Sequence, residues 1–147
     1  MRTLSILCLL LCLVFQGQAT NRKKKSGIKG QITWKSGNQM PSPDRPISSG
    51  KGTKRTLWVY ELTNQNQTDQ QDGFYQAIRT KLVKKVVTDD QGNFKVCLPV
   101  GRYSLFTEEP KGLWANITDG QMNIYPVTVE KDKWTEANIE INYAAAF

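Results

Sequence analysis

The fold-determining segment is residues 87–105, which read VTDDQGNFKVCLPVGRYSL. Apolar side chains occupy every second position from Phe94 to Leu98, which is the period of a strand with one buried face. Asp89 can accept hydrogen bonds from backbone amides within a turn, and Gly92 can take the left-handed conformation that a tight turn needs. The segment therefore predicts strands joined by two glycine turns, and we interpret it as part of an antiparallel meander.

Short β-rich segments separated by turn residues continue on both sides. No i, i+3, i+4 pattern of apolar residues runs for three turns, so no long helix is expected. The predicted strands are residues 28–34, 55–62, 82–88, 93–98, 102–108, 123–130 and 134–143, with the meander over 82–108. The predicted loops are residues 35–54, 63–80 and 109–121. Together these segments predict an all-β, seven-stranded antiparallel sandwich.

Within this sandwich, the alternation also predicts which side chains are buried. The expected core contributors are Phe94, Val96, Leu98, Tyr103 and Leu105. Gly30 shares a strand face with Ile28 and Ile32, where a missing side chain would let another segment approach closely.

Residues 1–19 have the three-part layout of a secretory signal. Arg2 supplies a positive start, and the apolar run 4–15 is too short to cross a membrane, which takes about 20 residues. Gly17 and Ala19 place small residues three and one positions before a cleavage point after Ala19. We therefore expect an exported protein, periplasmic or secreted, without a membrane span.

The basic charge is concentrated near the N-terminus. The chain has 20 Lys and Arg against 13 Asp and Glu, and residues 22–25 form a basic block. We assign residues 20–27 to a basic flexible segment and residues 28–147 to the sandwich domain. The basic block acts either as a solvated spacer or as a weak tether to anionic membrane or polysaccharide. Export, and the absence of a basic stripe interleaved with aromatics in the domain, argue against nucleic-acid binding.

The chemistry of catalysis is poorly represented. The sequence has no histidine, which excludes the usual histidine-activated serine and cysteine nucleophiles. Once the signal is removed, Cys97 is the one cysteine left, and we expect it to pack as a small buried apolar residue. The acidic pairs at 89–90 and 108–109 are sequence neighbours, which point to opposite faces of a strand rather than across a cleft. We predict no enzymatic activity, no cofactor and no metal.

The same segment resembles carboxypeptidase regulatory-like domains. The resemblance rests on an Asp-x-x-Gly-x-Phe motif at 89–94, a Leu-Pro-x-Gly-x-Tyr motif at 98–103 and an opening strand at 30–32. It implies a transthyretin-like Greek-key sandwich over about residues 28–143. In these domains the two motifs build turns; a calcium loop at Asp89, Asp90 and Asn93 is the alternative, although it offers few of the six to eight oxygens that calcium takes.

A narrower resemblance connects the chain to small secreted proteins of Bacteroidetes-type bacteria that have no assigned activity. It is carried by residues 37–41, 80–83, 113–120 and 143–147. Because one sandwich fold hosts many functions, this resemblance implies an exported protein but no particular activity.

Long loops on a rigid sandwich are where binding usually resides. We therefore predict a binding surface formed by loop residues of the narrower resemblance: Asn38, Gln39, Met40, Trp114, Asn116 and Asp119. The expected partner is a protein of the cell envelope, which would make the chain an accessory domain; the alternative is a carbohydrate-binding module that uses loop aromatics. Trp114 would be its platform unless it caps the core, whereas Trp34, Trp58 and Trp134 are expected to pack in the core.

Overall fold

The computed structural model describes residues 25–147, which form an all-β structure of two sheets and one 3₁₀ turn at Gln65–Gln67. The predicted signal peptide, and most of the basic segment at 20–27, lie outside the described residues. The strands are β1 (Gly27–Asn38), β2 (Lys51–Gly52), β3 (Thr56–Glu61), β4 (Thr68–Gln71), β5 (Phe74–Ile78), β6 (Leu82–Val87), β7 (Asn93–Cys97), β8 (Gly101–Glu109), β9 (Gly112–Trp114), β10 (Pro126–Val129), β11 (Trp134–Glu136) and β12 (Ile139–Ala146).

The first sheet is organised around the long strand β1. The first half of β1 pairs with β7 in antiparallel and with β11 in parallel, and its second half pairs with β2 in antiparallel and β12 in parallel. Gly30 permits this close pairing, because a Cβ atom there would lie 1.9 Å from the carbonyl oxygen of Ala137. The expected close approach at Gly30 is confirmed.

The second sheet has the strand order β4-β5-β9-β8-β3-β6, and β10 pairs with the first half of β8. The buried core combines apolar residues of both sheets, including Ile28 and Ile32 from β1 with Leu57 and Val59 from β3. The five predicted core residues are all buried, since Phe94, Val96, Leu98, Tyr103 and Leu105 are at most 6 % exposed.

Two predictions about the central segment are wrong. The meander over 82–108 does not form, because β6 and β8 both pair with β3 in the second sheet while β7 pairs with β1 in the first. The chain therefore crosses between the sheets at each of the two glycine turns. Cys97 is exposed rather than buried, because it alternates with the buried residues Val96 and Leu98.

Several predicted loops contain strands. The segment 63–80 holds the β4–β5 hairpin, whose turn residues Asp72 and Gly73 have φ of 52° and 82°. The segment 109–121 holds β9, and the predicted last strand is divided into β11 and β12 around Ala137. Residues 25–147 thus form twelve strands, where the sequence predicted seven. The additional strands were missed because polar strands and short strands give no clear apolar alternation.

Candidate functional site

The structure brings five of the six predicted surface residues to β12 or next to it. Asn38 pairs with Ala146, and the Gln39 amide donates to the Ala146 carbonyl over 2.8 Å. The Met40 amide donates to Asn38 Oδ1, and the Met40 side chain is 58 % exposed. At the free edge of the same strand, Asn116 Nδ2 donates to the Glu140 carbonyl over 3.2 Å.

Asp119, the sixth residue, belongs to a separate turn. Its Oδ1 accepts from the amides of Gln121 and Asn123, each at 2.9 Å, and its Oδ2 accepts from Asn123 Nδ2 at 2.9 Å. These bonds, with that of the Asn123 side chain the strongest, hold the pKa of the Asp119 carboxyl below its usual value. Both oxygens of Asp119 are therefore committed to the turn.

Trp114 lies in β9 and turns its ring into the molecule. Its ring centroid is 5.5 Å from that of Phe74 and 5.2 Å from that of Tyr143, and Tyr143 in turn meets Trp34 at 5.1 Å. The Trp114 indole nitrogen is buried without a hydrogen-bond partner, as is the Thr107 hydroxyl on the neighbouring strand. This packing matches the core-capping alternative for Trp114, because a ring enclosed by aromatic neighbours offers no open platform.

A buried carboxylate, Glu109, lies beside this aromatic cluster and is hydrogen-bonded to it through Tyr143. The Glu109 side chain is fully buried and receives Arg55 Nε at 3.0 Å and the Tyr143 hydroxyl at 2.9 Å. Burial, together with the bond to Glu109, raises the pKa of Tyr143 to about 12. The charge of Glu109 is thereby balanced by a cation and by a neutral hydroxyl donor, as a buried carboxylate requires. The group joins the two sheets, since Glu109 lies in β8 and Tyr143 in β12, and the Glu109 side chain itself has no exposed surface.

A different surface carries free polar groups, and sequence reasoning missed it. On the outer face of the first sheet, side chains of adjacent strands stand side by side, since residues paired in register share a face. We call this the polar face; its residues are Lys29, Gln31, Asn93, Lys95, Trp134, Glu136 and Asn138. In the sequence, the residues of this face on β1 and β7 alternate with buried residues, and this alternation could have indicated an outer polar face.

Trp134 is the aromatic residue of the polar face. Trp34, Trp58 and Trp114 pack against the core, whereas Trp134 lies across Gly27, whose Cβ would sit 2.8 Å from the indole ring. Lys95 Nζ stands 4.3 Å from the centroid of the Trp134 ring. The prediction that Trp134 packs in the core is therefore wrong: β11 turns it outward, and Gly27 provides the space for it to lie flat.

Two shallow grooves meet on this side of the molecule. The first, of about 480 Å³, runs over the polar face between β7 and β11. The second, of about 390 Å³, continues past the β11 edge and is lined by Ile117, Asp119 and Pro126. Glu136 and Asn138 line both grooves. The predicted site residue Asp119 thus borders this surface, although its carboxylate is engaged in the turn.

Within 25–147 no three cysteine or carboxylate side chains are grouped to hold a metal ion. At Asp89, the alternative calcium position, Oδ1 accepts from the Gln91 and Asn93 amides and Oδ2 from the Asn93 side chain. The part of the chain that the structure describes also forms no apolar helix of membrane-spanning length.

Comparison of the chain with family models, with curated proteins and with solved structures gave no match. The resemblance to carboxypeptidase regulatory-like domains therefore stays a prediction.

Proposed function

We propose that this chain is a non-catalytic binding domain, exported to the cell envelope, that holds a protein or glycan partner on the polar face. The observation that carries the proposal is a half-buried tryptophan outside the core, Trp134, beside two lysines that form no ion pair within the described residues. Among the ion pairs of residues 25–147, neither Lys29 nor Lys95 takes part. Aromatic and charged groups that lie outside the core and reach solvent are typical of interaction surfaces.

We also propose that the fold is the transthyretin-like Greek-key sandwich of the carboxypeptidase regulatory-like domains. Both motifs of the resemblance build turns that are closed by their own side chains. Asp89 bonds the amides of its turn, and the Tyr103 hydroxyl donates to the Pro99 carbonyl over 2.7 Å. The proposed export rests on the predicted signal peptide.

The carbohydrate version of the proposal needs a different aromatic residue from the one that the sequence suggested. Trp114 is enclosed by Phe74 and Tyr143, so a loop platform at that position is not favoured. Trp134 lies on an outer face, beside hydrogen-bonding side chains. In the carbohydrate version, the aromatic ring that stacks on the sugar is therefore Trp134 on the sheet face rather than Trp114.

The proposal is tested by retention from envelope extract. The immobilised wild-type chain is compared with a polar-face variant, Lys29→Glu with Lys95→Glu, and with a matched control, Lys84→Glu with Lys85→Glu, on the exposed edge strand β6. We expect the wild type and the control to retain an envelope component that the polar-face variant does not retain. Equal retention by all three chains, or hydrolytic turnover by the purified protein, would contradict the proposal.

A further inference from the structure

Two lysines face each other on the polar face. Lys29 and Lys95 are direct partners in the β1–β7 ladder and share the outer face, with Glu136 beside Lys29 on β11. Like charges directly opposite in a sheet are destabilising, and within residues 25–147 neither ammonium group forms an ion pair. An anion placed between the two lysines would remove this repulsion.

The ring of Trp134 lies next to the lysine pair. The ring lies across the backbone of Gly27, and Lys95 Nζ stands over it, 4.3 Å from its centroid. Trp134 is half-buried. A cation over an aromatic ring that solvent can reach is held weakly, so a ring-shaped ligand can displace the Lys95 ammonium and release it toward the anion. The surface thus fits a ligand that combines an apolar ring face with a negative charge.

Hydrogen-bond acceptors surround the same groove. Gln31 donates from its side-chain Nε2 to the Gln91 carbonyl, and Asn93 donates from its side-chain Nδ2 to Asp89 Oδ2. Among the bonds of the described chain this leaves the side-chain carbonyl oxygens of both residues as acceptors for hydroxyl donors. Hydroxyl groups, a ring face and a carboxylate occur together in acidic sugars.

We infer that the polar face is a binding site for an acidic glycan, with a uronate-type pyranose ring on Trp134 and its carboxylate between Lys29 and Lys95. The inference rests on the proposed binding function and assigns its ligand class. Because the first groove continues into a second along the shared residues Glu136 and Asn138, the site suits an oligosaccharide of several rings better than one sugar.

The test is calorimetric titration of the full exported chain with oligogalacturonate. The basic residues 22–25 are changed to glutamine in every protein, so that the N-terminal segment does not bind the polyanion. We compare Trp134→Ala with Trp58→Ala, because Trp58 is also covered by a lysine, with Lys85 Nζ 3.4 Å from its ring centroid, but belongs to the other sheet. A second pair is Lys29→Gln with Lys95→Gln, against Lys84→Gln with Lys85→Gln.

We expect Trp134→Ala and the Lys29/Lys95 variant each to weaken binding about tenfold, which corresponds to about 1.4 kcal/mol. Both control variants should bind like the wild type, and circular dichroism should show that every variant is folded. Dextran, a neutral glycan, and polyglutamate, an acidic polymer without sugar rings, should bind poorly.

Several results would overturn the inference. Equal binding of oligogalacturonate by Trp134→Ala would remove the platform, equal binding of polyglutamate would reduce the site to charge alone, and equal binding of dextran would remove the role of the lysines. Suppose that no glycan binds, but that the wild type retains an envelope protein which the Lys29→Glu, Lys95→Glu variant does not. The glycan inference then fails and the proposed binding function stands. If neither is observed, both fail.

Discussion

Two turns of the molecule have the same hydrogen-bond pattern although their sequences differ: DDQGN at 89–93 and DGQMN at 119–123. In each turn the aspartate Oδ1 accepts from the amides two and four positions later, and Oδ2 accepts from the asparagine side chain. In each turn the fourth residue is left-handed, with φ of 81° at Gly92 and 66° at Met122.

The turns differ in what surrounds the left-handed residue. A Cβ atom at Gly92 would lie 2.1 Å from the Ile32 carbonyl, because β1 passes directly over the turn. Met122 is 49 % exposed and extends into solvent. The comparison indicates that aspartate and asparagine define this turn, whereas glycine is required only where another segment packs against it.

The largest expected effect concerns the residue after each turn. Phe94 follows the first turn and Ile124 the second, and they are 6 % and 0 % exposed. We expect Phe94→Ala to cost about 3–5 kcal/mol and Ile124→Ala about 2–5 kcal/mol, because each leaves a cavity in the core. Urea denaturation measures both values; a loss below about 1 kcal/mol at either position would show that its turn does not anchor the core.

The next prediction separates the two turns. Gly92→Ala combines a left-handed alanine with a clash against Ile32 and should cost about 3 kcal/mol. Gly120→Ala is the control in the second turn, where a Cβ would meet no atom within 4 Å and φ is not left-handed. It should leave the unfolding midpoint nearly unchanged. If both substitutions cost the same, packing against β1 is not what distinguishes the turns.

Acid should weaken both turns. The Asn93 amide and side chain hold the pKa of Asp89 below its usual value, and Asn123 does the same for Asp119. A folded-state pKa below the unfolded value of about 3.9 gives stability that is present above that pH and is lost as the pH falls through the folded value. Unfolding free energy measured from neutral pH to about pH 2 should therefore fall less steeply in a double Asp89→Asn, Asp119→Asn variant than in the wild type.

Within that pair, the second aspartate should matter more at neutral pH. Asn123 is 8 % exposed, whereas Asn93 is exposed, so Asp119→Ala leaves buried donors unpaired and Asp89→Ala leaves solvated ones. The reverse order of unfolding midpoints would contradict this reading of the turns.

The smallest effect is expected at the strained methionine. Met122→Gly removes the strain of a left-handed residue with a side chain, but it also raises the conformational entropy of the unfolded chain. We therefore expect the free energy of unfolding to rise by only about 0.5 kcal/mol. A rise of the thermal midpoint would check it. A loss would mean that the Met122 side chain makes contacts that outweigh its backbone strain.

These turns also show what the sequence reveals about the fold. The first turn was predictable because Gly92 marks the left-handed position, and the second was missed because Met122 occupies the same position. The β4–β5 hairpin was missed for a related reason: Asp72-Gly73 is a strong turn signal, but its flanking residues Thr68–Gln71 are polar and show no alternation. Burial of the five predicted core residues was predicted correctly, since it follows from alternation along one strand, whereas the predicted burial of Cys97 and Trp134 was wrong.

Pairing and site position were harder to predict. Alternation shows that Phe94 and Leu105 are buried, but it does not reveal that their strands belong to opposite sheets. The polar face could not be predicted for the same reason. It combines residues of three strands, β1, β7 and β11, which become neighbours only because β7 and β11 both pair with β1; these residues include Lys29, Lys95 and Trp134. Sequence reasoning therefore favoured Trp114, whose glycine-rich surroundings suggested exposure.

The central position of β1 has a consequence for folding kinetics. Gln31 and Asn138, which share a hydrogen bond, are 107 positions apart, and β1 completes its sheet only with β11 and β12. Folds dominated by such distant contacts form slowly, typically in milliseconds to seconds. For a protein that we propose to be exported, β1 stays without its parallel partners until the last strand has left the export channel, so translocation can finish before the sheet closes.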